Sequence, residues 1–226
     1  MPRTALIFLS LIALATAAGA EEANVTQTQN GAPGAVAQMI TAQRGYEMAL
    51  KSGDPILLLA SVRLARGVVL RAPTAWERAT EGEAPADQPQ GTEGAPDPAS
   101  STAVAIVQNF AGDDPNLQDY VYDLDAQLPQ GRKAIAIATD AVLAAGQIDH
   151  WRMPLSGMVP AEIGLVGDGD TGMALTITDE TGLPVCSLPA SPEPALCAFT
   201  PARNGFFTVT ITNQGSGENS YRLLAN

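Results

Sequence analysis

Residues 161–186, AEIGLVGDGDTGMALTITDETGLPVC, carry the pattern that decides the fold of the second half of the chain. Apolar and polar residues alternate over 173–178, which is typical of a half-buried β-strand. Residues 167–172 combine three glycines with two aspartates and are predicted to form a tight turn, and 179–182 are predicted to form the next hairpin. The acidic side chains pose the functional question, because carboxylates at a turn bind a cation, take part in catalysis or remain solvated.

The same period of two continues on both sides of this stretch. Short runs rich in Val, Ile, Thr, Phe and Leu are separated by Gly, Pro, Asn and Asp. Six or seven such runs are typical of an antiparallel sandwich, and the last run places the C-terminus in or beside a sheet. The runs are 141–155, 161–167, 173–179, 184–188, 196–201, 206–213 and 220–226.

Upstream of residue 131 the apolar residues recur with the period of a helix, in 36–50, 56–70, 101–110 and 117–128. Each pair of predicted helices is separated by a glycine that can cap the first helix, an aspartate that can cap the second and a proline suited to its first turn. These residues are Gly53, Asp54 and Pro55 in the first pair and Gly112, Asp114 and Pro115 in the second. The helix at 56–70 is apolar on several sides and is predicted to be the buried member of its pair.

The predicted fold class is therefore α+β, with a small N-terminal helical unit of two helical hairpins followed by an antiparallel jelly-roll-like β-sandwich. We expect a flexible lead-in at 21–34, the helical region at 35–130 and the sandwich at 133–226. Residues 80–100 contain no large apolar side chain and many Gly, Pro and acidic residues. Such a composition predicts a disordered acidic linker inside the helical region.

Residues 1–20 have the pattern of a secretory signal peptide. Arg3 precedes an apolar run, and the small residues 18–20 precede Glu21, so cleavage is expected after Ala20. The apolar run is shorter than the ~20 residues that a membrane-spanning helix needs. We therefore expect a periplasmic or secreted protein without a membrane span.

The chain contains 12 basic and 24 acidic residues and has a net charge of -12. Nucleic acids and anionic membranes are bound through clusters of Lys and Arg, so the charge argues against both classes of partner. The surplus of acid is larger in residues 101–226, which hold 14 acidic and 5 basic residues. A cation-binding role is expected in that half.

The chain has two cysteines, Cys186 and Cys197, eleven positions apart with three prolines between them. In an oxidising compartment such a pair is predicted to form a structural disulfide. The alternative is a metal or redox pair, although the CxxC spacing is absent and the single histidine, His150, is distant in the sequence.

The C-terminal sequence contains three ordered segments, PAEIGLVGDGDTGMALTITDETGLPVC, CAFTPARNGFFTVTITNQG and YRLLAN. With them the sequence resembles the bacterial pre-peptidase C-terminal domain over about residues 133–226. It follows the family's apolar strand, GDGDTDLDL-like turn, Asp-x-x-Gly hairpin, Phe–Pro–Gly step and final strand with a tyrosine, here Tyr221. The resemblance implies a jelly-roll-like sandwich of the kind found on many secreted bacterial proteins, often beside peptidase domains. The helical half carries no such resemblance.

The sequence departs from the family pattern at Gly172 and Ala174, where a second acidic pair is common. In the family those acids contribute to cation binding, so the resemblance implies the strand framework together with a depleted set of ligands.

A calcium site is the main alternative to solvated turns. The helix-loop-helix calcium template is not satisfied, because its third ligand and its turn glycine are missing. A weaker site at Asp168 and Asp170, completed by carbonyl groups or by Asp140 and Asp149, remains an expectation, since calcium takes six to eight oxygen ligands. No other cofactor is expected.

Catalytic motifs are absent from the sequence. There is no HExxH, GxSxG or GxxxxGK[ST], and His150 would have to serve any Ser–His–Asp set. GDGDTG at 167–172 has the spacing GxGxxG, but it leads into a predicted strand and not into the helix that a dinucleotide site needs. We interpret His150 as a half-exposed strand residue beside a packed Trp151, and we predict that the protein is not an enzyme.

Five aromatic residues in the predicted strands suggest a carbohydrate platform, although most strand aromatics belong to a core. They are Trp151, Phe199, Phe206, Phe207 and Tyr221. Because adjacent strand residues point to opposite faces, one of Phe206 and Phe207 is predicted to face the core and the other the solvent.

These observations predict an exported, non-catalytic binding or accessory protein that acts on envelope proteins or extracellular polymers. The first alternative is a calcium-dependent adhesion module for glycan or matrix. The second is a hydrolase accessory or an uncharacterised enzyme.

Overall fold

The computed structural model describes residues 22–26, 32–91, 93–126, 134–170 and 172–226. The predicted signal peptide at 1–20, residues 27–31 of the predicted lead-in, Thr92, Thr171 and residues 127–133 lie outside the described residues. The helices are α1 Ala35–Ser52, α2 Pro55–Arg66, α3 Ser101–Ala111 and α4 Pro115–Ala126. The strands are β1 Val68–Arg71, β2 Glu77–Glu81, β3 Ala134–Leu143, β4 Ile148–Leu155, β5 Ala161–Gly167, β6 Met173–Thr178, β7 Pro184–Ser191, β8 Ala195–Phe199, β9 Gly205–Asn213 and β10 Asn219–Ala225.

The strands form two five-stranded sheets, as the predicted sandwich requires. The first sheet has the order β1-β3-β10-β5-β8, and the second has the order β2-β4-β9-β6-β7. All pairs are antiparallel except β1 with β3. A single apolar cluster fills the space between the sheets, with Leu175, Ile177, Phe207 and Val209 fully buried. The α+β class is confirmed, and the run 141–155 is corrected to parts of two strands, β3 and β4.

Two strands lie in the region that the sequence predicts to be helical. The helix α2 ends at Arg66, and Val68–Arg71 pairs with β3 instead of continuing the helix. Glu77–Glu81 pairs with β4 as an edge strand of the second sheet. The apolar residues after Gly67 extended the helical pattern, but their position beside β3 stabilises a strand, so tertiary context overrides local propensity. Each sheet therefore contains one strand from the region predicted to be helical and four strands from the predicted sandwich.

The predicted caps between the helices of each hairpin are confirmed. Gly53 has a φ of 70°, and the carboxylate of Asp54 accepts hydrogen bonds from the backbone N–H groups of Ile56 and Leu57. In the second hairpin the carboxylate of Asp114 accepts in the same way from Asn116 and Leu117. Pro55 and Pro115 are the first residues of their helices. These local signals define where one helix of each hairpin ends and the next begins.

The helix that packs on the sandwich is α1, not α2, which corrects the prediction of a buried second helix. Nine residues of α1 are buried against four of α2, and Ile56 in α2 is 67% exposed. A side chain at Gly164 in β5 would place its Cβ 2.7 Å from Val36 Cγ1 and 3.0 Å from Ile40 Cδ1. The missing side chain of Gly164 thus allows α1 to lie directly on the outer face of the first sheet.

The N-terminus of α1 is capped from the sheet. Its N-cap residue, Gly34, has no capping side chain. The carboxylate of Glu162 in β5 accepts hydrogen bonds from the backbone N–H groups of Gly34, Val36 and Ala37 at 2.6, 3.1 and 3.0 Å. A carboxylate at this end of a helix also interacts favourably with the helix dipole. A buried acid of the sandwich therefore fixes the position of the helical unit.

Residues 82–100, most of the predicted disordered linker, have defined contacts with the sandwich. The carbonyl of Pro89 accepts a hydrogen bond from the N–H of Glu218 at 3.0 Å. A Cβ on Gly91 would lie 2.8 Å from Asp168 Oδ2, and one on Gly94 would lie 2.7 Å from the carbonyl oxygen of Asp168. We call residues 88–91 and 93–97 the strap. Gly91 and Gly94 allow the backbone of the strap to lie against Asp168 in the turn before β6, whereas the composition alone suggested disorder.

Part of the predicted flexible lead-in is also docked. Asn24 is fully buried, and its N–H donates to Asp179 Oδ2 at 2.7 Å. The Oδ1 atom of Asn24 accepts from the N–H of Arg203 at 2.9 Å, and the N–H of Thr26 donates to the carbonyl of Thr200 at 2.8 Å. Residues 22–26 are therefore fixed to the predicted hairpin at 179–182 and to the loop before β9.

The predicted disulfide is present. Cys186 in β7 and Cys197 in β8 are bonded, with their Cα atoms 6.2 Å apart. Because β7 and β8 are edge strands of different sheets, the bond joins the two sheets along one side of the sandwich. Within the described residues, no helix combines the length and the apolar character needed to cross a bilayer.

Candidate functional site

The acidic turn before β6 brings Asp168 and Asp170 together. The Oδ2 atom of Asp168 accepts a hydrogen bond from the N–H of Ser220 at 2.9 Å, and its Oδ1 atom lies 3.5 Å from the N–H of Asp170. Burial, which disfavours the charged form, and the neighbouring Asp170 raise the pKa of Asp168 to about 6. The turn thus holds a carboxyl group that loses its proton at about pH 6.

The other two predicted calcium ligands are engaged elsewhere. Arg222 donates to Asp140 through Nε at 2.7 Å and through Nη2 at 3.1 Å. Asp149 is fully buried and pairs with Arg78, whose Nη2 atom lies 2.7 Å from Oδ2. Among the described residues, no group of three or more His, Cys, Asp and Glu side chains is arranged to hold a metal ion. The calcium prediction therefore rests on Asp168 and Asp170.

The buried Asp149 is the centre of a hydrogen-bond network inside the sandwich. Its carboxylate accepts hydrogen bonds from Arg78, from Thr80 Oγ1 at 2.5 Å and from the hydroxyl of Tyr221. The Tyr221 oxygen accepts in turn from Trp151 Nε1 at 2.7 Å. Burial and the hydrogen bond to Asp149 raise the pKa of Tyr221. These contacts satisfy a buried charge and identify Asp149, Trp151 and Tyr221 as structural residues.

A cleft of about 370 Å³ lies beside the acidic turn. It opens where α1 leaves part of the outer face of the first sheet uncovered, and the strap borders its other side. The cleft brings together Asp140, Asp168 and Tyr221 from the sequence prediction, together with Gln43, Asp97 and Arg222, which the prediction missed. Arg222 Nη1 donates to Asp97 in the strap as well as binding Asp140. No local pattern signals these partners, because they are 125 and 82 positions away from Arg222.

The outward side of the second sheet carries a different set of residues. In β9, Phe207, Val209 and Ile211 are buried in the core, and the alternate residues face outward. The main contacts between the described helices and the sandwich are with strands of the first sheet, so this side is largely free of helices. We call it the open face. Its central residues are His150 and Arg152 in β4, Phe206, Thr208, Thr210 and Thr212 in β9, and Thr176 and Thr178 in β6.

Phe206 is the exposed member of the predicted aromatic set. Its side chain is 43% exposed, whereas Phe207 is fully buried, which confirms that the two rings face opposite ways. The Arg152 guanidinium carbon lies 3.5 Å from the centre of the Phe206 ring, and Arg152 Nη1 lies 3.3 Å from Glu77 Oε2. The ring is thus supported by a cation held in place by an acid. Trp151, Phe199 and Tyr221 belong to the core and form no platform.

Threonine hydroxyls form rows beside this ring. The strand register places Thr208 opposite Thr178 and Thr210 opposite Thr176, and the Thr176 hydroxyl lies 3.3 Å from that of Ser187 in β7. The alternating threonines of FTVTITN and ALTIT were visible in the sequence, but they were interpreted only as strand formers. Together the rows present donors and acceptors at the regular spacing of a sheet.

His150 lies on the open face between a hydroxyl group and a carboxylate. Its Nδ1 atom is 3.1 Å from Thr210 Oγ1, and its Nε2 atom is 3.4 Å from Glu81 Oε2. This hydroxyl–imidazole–carboxylate line has the residue types of a catalytic triad. However, β4 and β9 are paired along their whole length, so their backbone N–H groups serve the sheet and form no oxyanion hole. The prediction of a non-enzyme stays a prediction.

Comparison with known proteins gives no family assignment. No model of a known protein family matches the chain, and no curated protein matches it. Among solved structures, it is similar to the pre-peptidase C-terminal domain of a collagenase from Bacillus anthracis, with 14% identity and a TM-score of 0.33 over 39% of this chain and 87% of that one. It is also similar to TmCBM61 in complex with β-1,4-galactotriose, with 13% identity and a TM-score of 0.26 over 43% of this chain and 72% of that one. One of these solved structures thus has the domain name that the sequence resemblance suggested. The similarity is too low to show that the chain belongs to that family.

Proposed function

We propose that the chain is an exported, non-catalytic binding protein that holds an extracellular glycan on its open face. The observation that carries the proposal is the exposed Phe206 ring, supported by Arg152 and bordered by rows of threonine hydroxyls. The apolar face of a sugar ring packs on an aromatic side chain, and its hydroxyl groups both donate and accept hydrogen bonds, as threonine does. The face extends over the adjacent strands β4, β9 and β6, which suits a chain of sugars better than a single small molecule.

The charge of the open face also supports a neutral polymer. The protein as a whole has a net charge of -12. On the open face, Glu77 is paired with Arg152 and Glu81 lies next to His150, so the central rows carry little net charge. A neutral ligand therefore approaches without the repulsion that the rest of the surface exerts on an anion.

Binding of the purified chain without residues 1–20 to a panel of neutral polysaccharides tests the proposal. Phe206→Ala is expected to weaken binding about fivefold to tenfold, because it removes the stacking surface. Phe110→Ala is the matched control, since Phe110 is also a partly exposed phenylalanine, at 38%, but lies on α3. Equal binding by both variants, or no binding to any polysaccharide, would contradict the proposal.

The non-catalytic part of the proposal has its own test. Peptidase, esterase and glycosidase substrates are expected to remain unchanged by the protein. Turnover that disappears in a His150→Ala variant would show that the line from Thr210 through His150 to Glu81 is catalytic.

A calcium-dependent form of the same activity is the second candidate. The proximity of Asp168 and Asp170 favours it, because two carboxyl groups that disfavour each other's charge gain from a shared cation. A site filled at 100 times its dissociation constant would raise the free energy of unfolding by about 2.7 kcal/mol. A melting temperature that is the same in calcium and in chelator would eliminate this candidate.

A further inference from the structure

The cleft beside the acidic turn is separate from the open face and lies on the other sheet. Its floor is formed by β3, β10 and β5, where the strand register places Val142 opposite Ser220 and Arg222 opposite Val166. The helix α1 forms one side and the strap forms the other. The volume of about 370 Å³ is at the lower end of the range for small-molecule sites, about 300–1,000 Å³.

Most of the surface that lines the cleft is apolar. Val142 from β3, Val166 from β5, Met39 from α1 and Leu224 from β10 line it, and Val142 is 48% exposed. Met39 and Leu224 are almost fully buried in the packed interface between α1 and the sheet, so Val142 and Val166 offer the more accessible apolar surface. A hydrocarbon segment that enters the cleft therefore meets a preformed surface.

The charges at the rim favour a cation. Arg222 is the basic residue of the cleft, and it already binds two carboxylates, Asp140 and Asp97. Asp168 adds a third carboxyl group on the same rim. Three acids against one base leave a negative surplus, and the guanidinium of Arg222 is occupied by protein carboxylates instead of being free for an anionic ligand.

We propose that the cleft binds a small amphipathic organic cation, with an alkyl stem along Val142 and Val166 and an ammonium group at Asp168. The alkyl stem matches the apolar lining of the cleft, and the charged head group matches its acidic rim. Lysine side chains lie on protein surfaces in the same way, with the stem on apolar groups and the charge in water. This proposal is independent of the glycan site, because the two surfaces belong to opposite sheets.

The probe is a series of straight-chain amines from butylamine to hexylamine, titrated in chelator at pH 7.5 and followed by amide NMR. Each added methylene is expected to tighten binding about fourfold, because it removes apolar area from water. The largest shifts are expected at Val142, Ser220 and Arg222. Hexanol and hexanoate are the controls for the charge. Equal binding of hexylamine and hexanol, or shifts that lie outside the cleft, would overturn the proposal.

Variants separate the two parts of the site. Asp168→Asn keeps an oxygen that accepts from the N–H of Ser220, and it is expected to weaken hexylamine binding about threefold to fivefold. Asp113→Asn, a change of the same kind at an exposed acid between α3 and α4, is expected to have no effect. Val142→Ser, at an exposed position, is expected to reduce the gain per methylene while leaving the preference for a cation. Equal effects of Asp168→Asn and Asp113→Asn would show that binding follows net charge only, and would refute the site.

Discussion

The two sheets of the sandwich share one core and differ in what their outer faces meet. The first sheet is covered by α1, which lies on Gly164 and is capped by Glu162. The second sheet has threonines and one aromatic ring at the corresponding outward positions, and it is largely free of described helices. The inward residues are alike in kind, so the outward residues decide whether a face becomes a packing surface or an exposed one.

The largest expected effect is a side chain at Gly164. Gly164→Val places atoms where Val36 and Ile40 already lie, so α1 must move, and the free energy of unfolding is expected to fall by about 3 kcal/mol. Urea denaturation measures the loss. Ala174→Val on the open face is the matched change, and it is expected to alter stability by less than ~0.5 kcal/mol. Similar losses in both variants would remove the distinction between the faces.

A smaller effect is expected at the cap of α1. Glu162→Ala leaves the N–H groups of Gly34, Val36 and Ala37 without their acceptor and is expected to cost about 2 kcal/mol. Glu77→Gln, which removes an exposed acid paired with Arg152 on the open face, is expected to cost less than ~0.5 kcal/mol. Thermal unfolding of both variants checks the contrast, and an unchanged melting temperature for Glu162→Ala would show that α1 is held by its apolar contacts alone.

The covered side should also show a dependence on pH. The pKa of Asp168 is raised to about 6 in the folded protein, so the folded state binds this proton more tightly than the unfolded chain does. Its contribution to stability is present below about pH 4 and is lost as the pH rises to about 6. Because the carboxyl group is partly exposed and screened, the change is expected to be at most ~1 kcal/mol. Urea denaturation across this range checks it, and the same slope in Asp168→Asn would assign the effect to another group.

The smallest effect on stability is expected within the open face. Thr210→Val removes a hydroxyl that contacts His150, and the free energy of unfolding is expected to change by less than ~0.5 kcal/mol. Binding to the polysaccharide identified by the panel is expected to weaken about twofold to threefold, since one hydrogen bond at an exposed site contributes about 0.5 kcal/mol. A stability loss as large as that of Glu162→Ala would place Thr210 among the structural residues.

Local patterns predicted the parts of the fold that local chemistry stabilises. The caps at Gly53, Asp54 and Asp114 depend on neighbours within four residues, and the strand alternation of β6 and β9 depends on one face being buried. The disulfide followed from compartment and spacing. Each of these features is encoded within a short stretch of sequence.

The features that the sequence analysis missed depend on distant partners. The edge strand β2 is exposed along its whole length, so no alternation of apolar residues indicated a strand, and its pairing with β4 stabilises it. The glycines of the strap suggested disorder because Asp168, which they contact closely, lies 74 to 77 positions away in the sequence. The cleft and the pairing of Arg78 with Asp149 were hidden for the same reason.

The docking of Asn24 sets an order of events during folding. Its hydrogen-bond partners Asp179 and Arg203 lie 155 and 179 positions further along the chain. A ribosome synthesises residues 22–26 early, yet they have no place to bind until β6, its hairpin and the loop before β9 exist. Contacts of such sequence separation form slowly, because a long loop must close first. Residues 22–26 are therefore among the last segments to become ordered, and their binding indicates that the sandwich has formed.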